Sequence, residues 1–252
     1  MMLASKPYSV EQYKEAGFTG PVRVFNEPEA AAFRQKFFQT IGQSESAPGS
    51  TCHYMSAWHH TMRWAYDLAT DPRVLDLITP LLGPDLIMWA MHFWYKEPRS
   101  GKLIPWHQDA AYWQMEPKKN VTAWIALGPT FLENGCLRVI PGSHKQFVEH
   151  IQVQDPSSAF KIGLPTDAIN ETSAVTLEMQ PGEAVIFNEG TYHGSRANES
   201  NIARVALSIR YTTPDVKFLI EKWKDPDRIK TFLVRGQDTH HHNDAILGGI
   251  PQ

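Results

Sequence analysis

The apolar residues of this chain change period once, and that change limits the architectures open to it. Up to residue 84 the pattern is mainly helical. Ser9 to Gly17 reads as a short helix, capped by Ser9 with Gln12 three residues on. Pro21 to Phe25 reads as a strand. Asn26-Glu27-Pro28-Glu29 then opens a helix, with Asn as N-cap, Pro in the first turn and Glu at N3. It presents Ala32, Phe33, Phe37 and Ile41 at helical spacing and ends at Gly42. Ser44 to Ser50 is a loop. Trp58 to Ala69 and Asp71 to Leu82 are two further helices, the second started by Asp71-Pro72 and closed by Gly83-Pro84. From residue 85 short β-type runs take over: Asp85–Lys96, Val121–Leu127, Cys136–Ile140, Val175–Met179, Ala184–Asn188 and Arg204–Tyr211. Turn signals such as Gly128-Pro129, Asn134-Gly135 and Pro181-Gly182 separate them. A helical start followed by many short strands gives an α+β domain with an antiparallel sandwich or barrel at its core. Gln146 to Ser173 is long and mixed, and reads as a flexible insertion over a barrel mouth.

Composition narrows the functional classes. The 252 residues fit one domain, mainly helical over 1–84, with a barrel core over 85–214 and a C-terminal extension over 215–252. At 42% hydrophobic and 20% charged, the chain has enough apolar residues for a full core. The net charge is −3 and no Lys/Arg block exceeds a pair, so neither a nucleic-acid groove nor an anionic membrane surface is expected as partner. Cys52 and Cys136 make no metal-type spacing, which points to a reducing compartment. Residues 1–7 lack an apolar leader segment, no run reaches membrane length, and Ile250-Pro251-Gln252 is not a peroxisomal address. A soluble cytoplasmic protein is expected.

One short stretch carries metal chemistry. In Trp106-His107-Gln108-Asp109, an extended backbone would aim His107 and Asp109 at one point, away from Gln108. Iron(II) accepts such a pair as two corners of a 2-His-1-carboxylate face with three positions left open. Alone, the pair reads equally as a surface polar couple. His193 offers a third corner: it follows the turn and apolar strand Pro181 to Asn188, within Tyr192-His193-Gly194-Ser195. A buried histidine bonded to backbone is the alternative for it. Next, Arg204-Val205-Ala206-Leu207-Ser208-Ile209-Arg210 alternates, with Arg204 and Arg210 on one face and the apolar residues on the other. An inward arginine needs an anionic partner, because a buried unpaired guanidinium is costly.

These segments together resemble the phytanoyl-CoA dioxygenase family of iron(II)/2-oxoglutarate oxygenases. The resemblance rests on Trp106 to Asp109, on Thr122-Ala123-Trp124-Ile125-Ala126-Leu127, and on Glu133 to His144. It also rests on Tyr192 to Ser195 with Arg204 beyond, and on Leu82 to Asp85 and Leu233 to Asp238. What the resemblance implies is a double-stranded β-helix, a cupin-like jelly-roll barrel buttressed by the N-terminal helices. It further implies His107, Asp109 and His193 as iron ligands and Arg204 as partner of the distal carboxylate of 2-oxoglutarate, a role that suits a planar fork. Ser195 would assist there, and Trp124 would line the cosubstrate site with His92 and Lys96 nearby. Trp113 resembles an aromatic that lines the iron site, and is equally a core residue. Iron(II), 2-oxoglutarate and O2 would then act on a small-molecule substrate, by default hydroxylating a C–H bond and releasing succinate and CO2.

Two rivals stay open: a cupin-like metalloenzyme without 2-oxoglutarate, and a silent binding protein of the same fold. Trp58, Trp94, Trp106, Tyr112 and Trp113 are candidates for an aromatic substrate pocket or for core. His144 reads as structural, and His59-His60 and His240-His241-His242 as surface or lid residues without metal partners.

Overall fold

The computed structural model describes residues 8–43, 52–99 and 101–252. The expected loop Ser44 to Ser50 and the N-terminal segment 1–7 lie outside them. Two antiparallel sheets face each other. The larger has seven strands, in the order Phe18–Arg23, Glu183–Asn188, Val121–Ala126, Arg204–Thr212, Leu86–Lys96 and Phe232–Arg235, with Cys52–Ser56 also paired to Leu86–Lys96. The smaller has four: Val175–Leu177, Leu137–Val139, His193–Ser195 and Ile104–His107. This is the jelly-roll arrangement, two short-stranded sheets closing on a shared interior.

The central strand of the large sheet shows why both its faces are dry. All nine residues of Arg204–Thr212 are buried. Its odd positions, Val205, Leu207, Ile209 and Tyr211, pack outward with Phe37, Leu75 and Ile78 of the N-terminal helices. Its even positions face the second sheet, where Ala206 packs with Trp124, Leu137 and Val139. Tyr211 closes the outer layer by donating its hydroxyl to the Ala69 carbonyl at 2.6 Å.

Helix boundaries follow local chemistry. Ser9 caps Val10–Ala16 by accepting from Gln12 N–H, and Gly17 ends it at φ 84°. Asn26 and Glu29 form a reciprocal capping pair at 2.8 and 2.9 Å, opening Glu27–Gln43. Asp71 accepts from Arg73 N–H and opens Pro72–Leu82. Two expectations shift. The helix expected over Trp58 to Ala69 is a 3-10 turn, Trp58–His60, followed by Arg63–Ala69. Met62 is extended between them, so His59 turns inward instead of lying on a helix surface. The strand expected at Pro21 to Phe25 runs Phe18–Arg23, with a register shift between Thr19 and Val22 where it pairs with Glu183–Asn188. Among the described residues, no helix is long and apolar enough to cross a membrane.

The layering predicts where truncation hurts. Leu207→Ala should destabilise by about 2–5 kcal/mol, since Leu207 is fully buried between sheet and helices. Leu247→Ala, at a position 60% exposed, should cost under about 0.5 kcal/mol. Urea midpoints of the two variants check this ranking.

Candidate active site

Three ligand-bearing side chains converge between the sheets. One ligand atom each of His107, Asp109 and His193 lies within 4.8 Å of the others, and all three residues are buried. His107 ends the strand Ile104–His107, and His193 begins His193–Ser195 directly opposite it in register. Asp109 is not in the same straight strand, as the spacing suggested. It opens a 3-10 turn, Asp109–Ala111, which swings its carboxylate back beneath the two imidazoles. Asp109 Oδ1 is 3.7 Å from His107 Nε2 and 3.9 Å from His193 Nε2.

The atoms behind these groups orient them. His107 Nδ1 donates to the Pro105 carbonyl at 2.8 Å, and His193 Nδ1 donates to the Thr191 carbonyl at 2.8 Å. Each ring therefore turns an Nε2 lone pair toward Asp109, the tautomer a metal ligand requires. Asp109 Oδ2 receives Arg210 Nη2 at 3.4 Å and the Thr122 hydroxyl at 3.5 Å, which leaves Oδ1 to face the histidines. Burial alone would raise the Asp109 pKa; the Arg210 charge beside it leads the influences that outweigh burial and hold the carboxyl well below the usual carboxylate range, so it is ionised. Burial, with the His107 charge, pushes His193 down to about 3, so its imidazole is neutral. Two neutral-capable nitrogens and an ionised carboxylate form a donor set suited to a divalent first-row ion.

A narrow cavity leads from these ligands along the barrel interior to Arg204 and Ser195, with Trp124 and Leu137 on its walls. Arg204 is 2% exposed, its guanidinium lies 5.6 Å from the Trp124 ring centroid, and it donates to the Trp94 carbonyl at 3.3 Å. Lys96, fully buried, donates to Ser195 Oγ at 2.8 Å and to the Arg196 carbonyl. Lys96 thus stands behind Ser195. His92 does not line this cavity: Arg210 donates to its Nδ1, and it faces a second cavity on the other side.

The remaining candidates take these places. His59 is 1% exposed and packed against Phe232, not a surface residue, because the break before Arg63–Ala69 turns it inward. Trp58 belongs to the helix-facing core with Phe37 and Phe93. Trp106 pairs with Glu171 and Arg138 away from the ligands, whereas Trp94, Tyr112 and Trp113 line cavities. His144 bonds to the Lys14 carbonyl and fills the space above Gly17. His241 pairs with Asp244 at an exposed site. The insertion places Phe160 with its ring 5.0 Å from that of His107.

Two elements went unread in the sequence. Gln108, fully buried, donates to the carbonyls of Gln146 and Gly190 and accepts from Val148 N–H. It bolts the insertion and the turn delivering His193 to the His107 strand. Asn120 links Trp89 to Glu189, whose carboxyl burial pushes up to about 7. Neither carries a local signal: Gln108 stands between His107 and Asp109, and Asn120 follows Lys118-Lys119.

A model of the phytanoyl-CoA dioxygenase (PhyH) family matches residues 13–206. The chain belongs to that family. The match stops short of Arg210 and of Leu233 to Asp238. A probable phytanoyl-CoA dioxygenase of Caenorhabditis elegans is 34% identical over 155 residues, 58% of this chain and 49% of that protein. A probable alpha-ketoglutarate-dependent hypophosphite dioxygenase of Stutzerimonas stutzeri is 30% identical over 175 residues, 68% of this chain and 60% of that protein. The chain thus spans about half to three-fifths of the length of these relatives. The solved apo form of the non-heme monooxygenase ThoJ is 26% identical, with a TM-score of 0.78 over 96% of this chain and 88% of that one.

Two predictions follow from the geometry. Gln108→Leu leaves two carbonyls and one N–H without partners and should destabilise by about 2–4 kcal/mol, with the 146–173 segment cleaved faster by protease. The metal-free protein should also lose stability between pH 7 and pH 5. Burial lowers the pKa of His59, His60, His92 and His193, to about 4 for His60 and about 3 for His193. Below about 6.5 the unfolded chain therefore binds protons that the folded chain refuses. Glu189, raised to about 7, acts in the opposite sense over this window, but it is one group against four. A lower urea midpoint at pH 5 than at pH 7 is expected; a higher one would contradict the neutral, buried state of these imidazoles.

Proposed function

We propose that the protein is a mononuclear non-haem iron(II) oxygenase that uses 2-oxoglutarate and hydroxylates a C–H bond of a small molecule. The observation that carries the reading is the convergence of His107, Asp109 and His193, with both Nε2 atoms turned toward Asp109 Oδ1. Family membership supports it, as does the alpha-ketoglutarate dependence named for one relative. When bound, iron(II) and 2-oxoglutarate supply the oxidising chemistry: one O2 is consumed, 2-oxoglutarate leaves as succinate and CO2, and one oxygen atom becomes the product hydroxyl.

The chain's own residues do the rest. His107, Asp109 and His193 would hold the ion. Thr122 and Arg210 hold the second carboxylate oxygen, keeping Asp109 at a single orientation. Arg204 lies at the far end of the narrow cavity, where its fork can take a carboxylate bidentately while Trp124 shields the pair from water. Ser195, held by Lys96, offers a further hydroxyl to the same carboxylate. Arg204, and not Arg210, is the cosubstrate residue in this reading, because Arg210 is already engaged by Asp109 and His92.

Two measurements test the proposal. The protein supplied with iron(II), 2-oxoglutarate and oxygen should release succinate slowly even without a substrate; no succinate above a His193→Ala control would sink the reading. Anaerobic titration of 2-oxoglutarate into iron-loaded variants should show Arg204→Ala weaker by at least about tenfold, the cost of removing one partner of a desolvated charge pair. Arg210→Ala should stay within about threefold for 2-oxoglutarate and instead change metal affinity through Asp109. A larger cosubstrate loss for Arg210→Ala would reverse the two assignments.

A further inference from the structure

Beyond the His92–Arg210 contact the barrel interior opens into a second cavity, about 440 Å3, with no part in holding the three ligands or Arg204. Its walls are aromatic: Trp89 and Trp113 meet edge to face at 4.9 Å, Trp223 lies 5.8 Å from Trp89, and Tyr112 stands opposite. This surface suits a flat, largely apolar body. The partition between this cavity and the ligand cluster is thin. Arg210 stacks 5.0 Å from Trp113 and reaches Asp109, while Tyr112 lies 5.8 Å from the His107 ring.

The cavity also holds an unanswered polar group. His59 is 1% exposed, and neither ring nitrogen has a hydrogen-bond partner among the described residues. Its neighbour His60 likewise leaves Nε2 without one. A buried histidine with both nitrogens unmet is a cost the fold does not need, since a leucine would fill the space. Burial keeps His59 neutral, so it offers one N–H donor and one lone pair, suited to an un-ionised hydroxyl or amide. At the rim the sign changes: exposed Lys222, Lys224 and Arg228 stand against one acid, Asp225. The rim residues lie beyond the stretch matched by the family model.

We propose that this cavity binds the primary substrate, and that the substrate is a flat organic anion carrying an un-ionised hydroxyl or amide. The ring body lies between Trp89, Trp113 and Trp223, the neutral polar group reaches His59, and the anionic group stays at the lysine-rich rim. Calling the ligand a substrate rests on the oxygenase reading; the binding site itself does not. His59 is a specificity residue here, retained for recognition.

The test uses the metal-free full chain and calorimetric titration with three probes: 6-hydroxy-2-naphthoate, 2-naphthoate and 2-naphthol. The hydroxynaphthoate should bind at least about tenfold more tightly than 2-naphthoate, because only it answers His59. In His59→Leu that preference should fall to within about twofold, with a thermal midpoint unchanged or raised. Lys222→Glu/Lys224→Glu changes only exposed residues, so folding is not at stake. It should weaken both naphthoates by about threefold to tenfold and leave 2-naphthol within about twofold. No binding of any probe, a hydroxyl preference that survives in His59→Leu, or indifference of the naphthoates to the lysine changes would each overturn the assignment. Succinate release from the iron-loaded protein separates the two proposals. Probe binding without succinate keeps the cavity and removes the oxygenase; succinate with no probe preference does the reverse.

Discussion

The site depends on one strand pairing, His193 against His107 across the smaller sheet. The two rings come to 4.0 Å between centroids, far closer than isolated histidines in solution would stay. What holds them there is backbone: the sheet ladder, the two Nδ1 bonds to nearby carbonyls, and Gln108 tying the turn before His193 to the strand carrying His107. Asp109 then supplies the negative charge that makes a cluster of buried nitrogens tolerable, and Arg210 balances that charge in turn. A divalent ion coordinated by the same three groups would satisfy all of them at once.

The large sheet explains why such a polar cluster survives inside an apolar protein. Its outer face is covered by the N-terminal helices, so the inner face is free to carry Arg204, Ser208 and Arg210 without stability resting on it. The interior is in effect divided by Arg210. On one side lies the narrow passage to Arg204, and on the other the broader aromatic cavity.

Much of this was legible from residue order because the signals were local. Caps such as Asn26 with Glu29 and Asp71 before Pro72 act over a few residues, and the alternation in Arg204 to Arg210 assigns each side chain a face with no knowledge of its neighbours. The His-x-Asp pair announced a metal, although the geometry achieving it is a strand end followed by a 3-10 turn. What escaped depends on distant partners. His59 looks like a surface residue until Phe232 is brought against it. Gln108 looks like a spacer until the carbonyls of Gln146 and Gly190 arrive, and Arg210 has no evident partner until Asp109 meets it.

The central claim is that two imidazoles and one carboxylate hold one iron. X-ray absorption at the iron edge of the anaerobically iron(II)-loaded protein measures this most directly, because the outer scattering of imidazole rings can be counted. The account predicts two rings and otherwise oxygen neighbours in the wild type, falling to one ring in His193→Ala if iron is retained at all. A sulfur neighbour, or two rings persisting in His193→Ala, would contradict it.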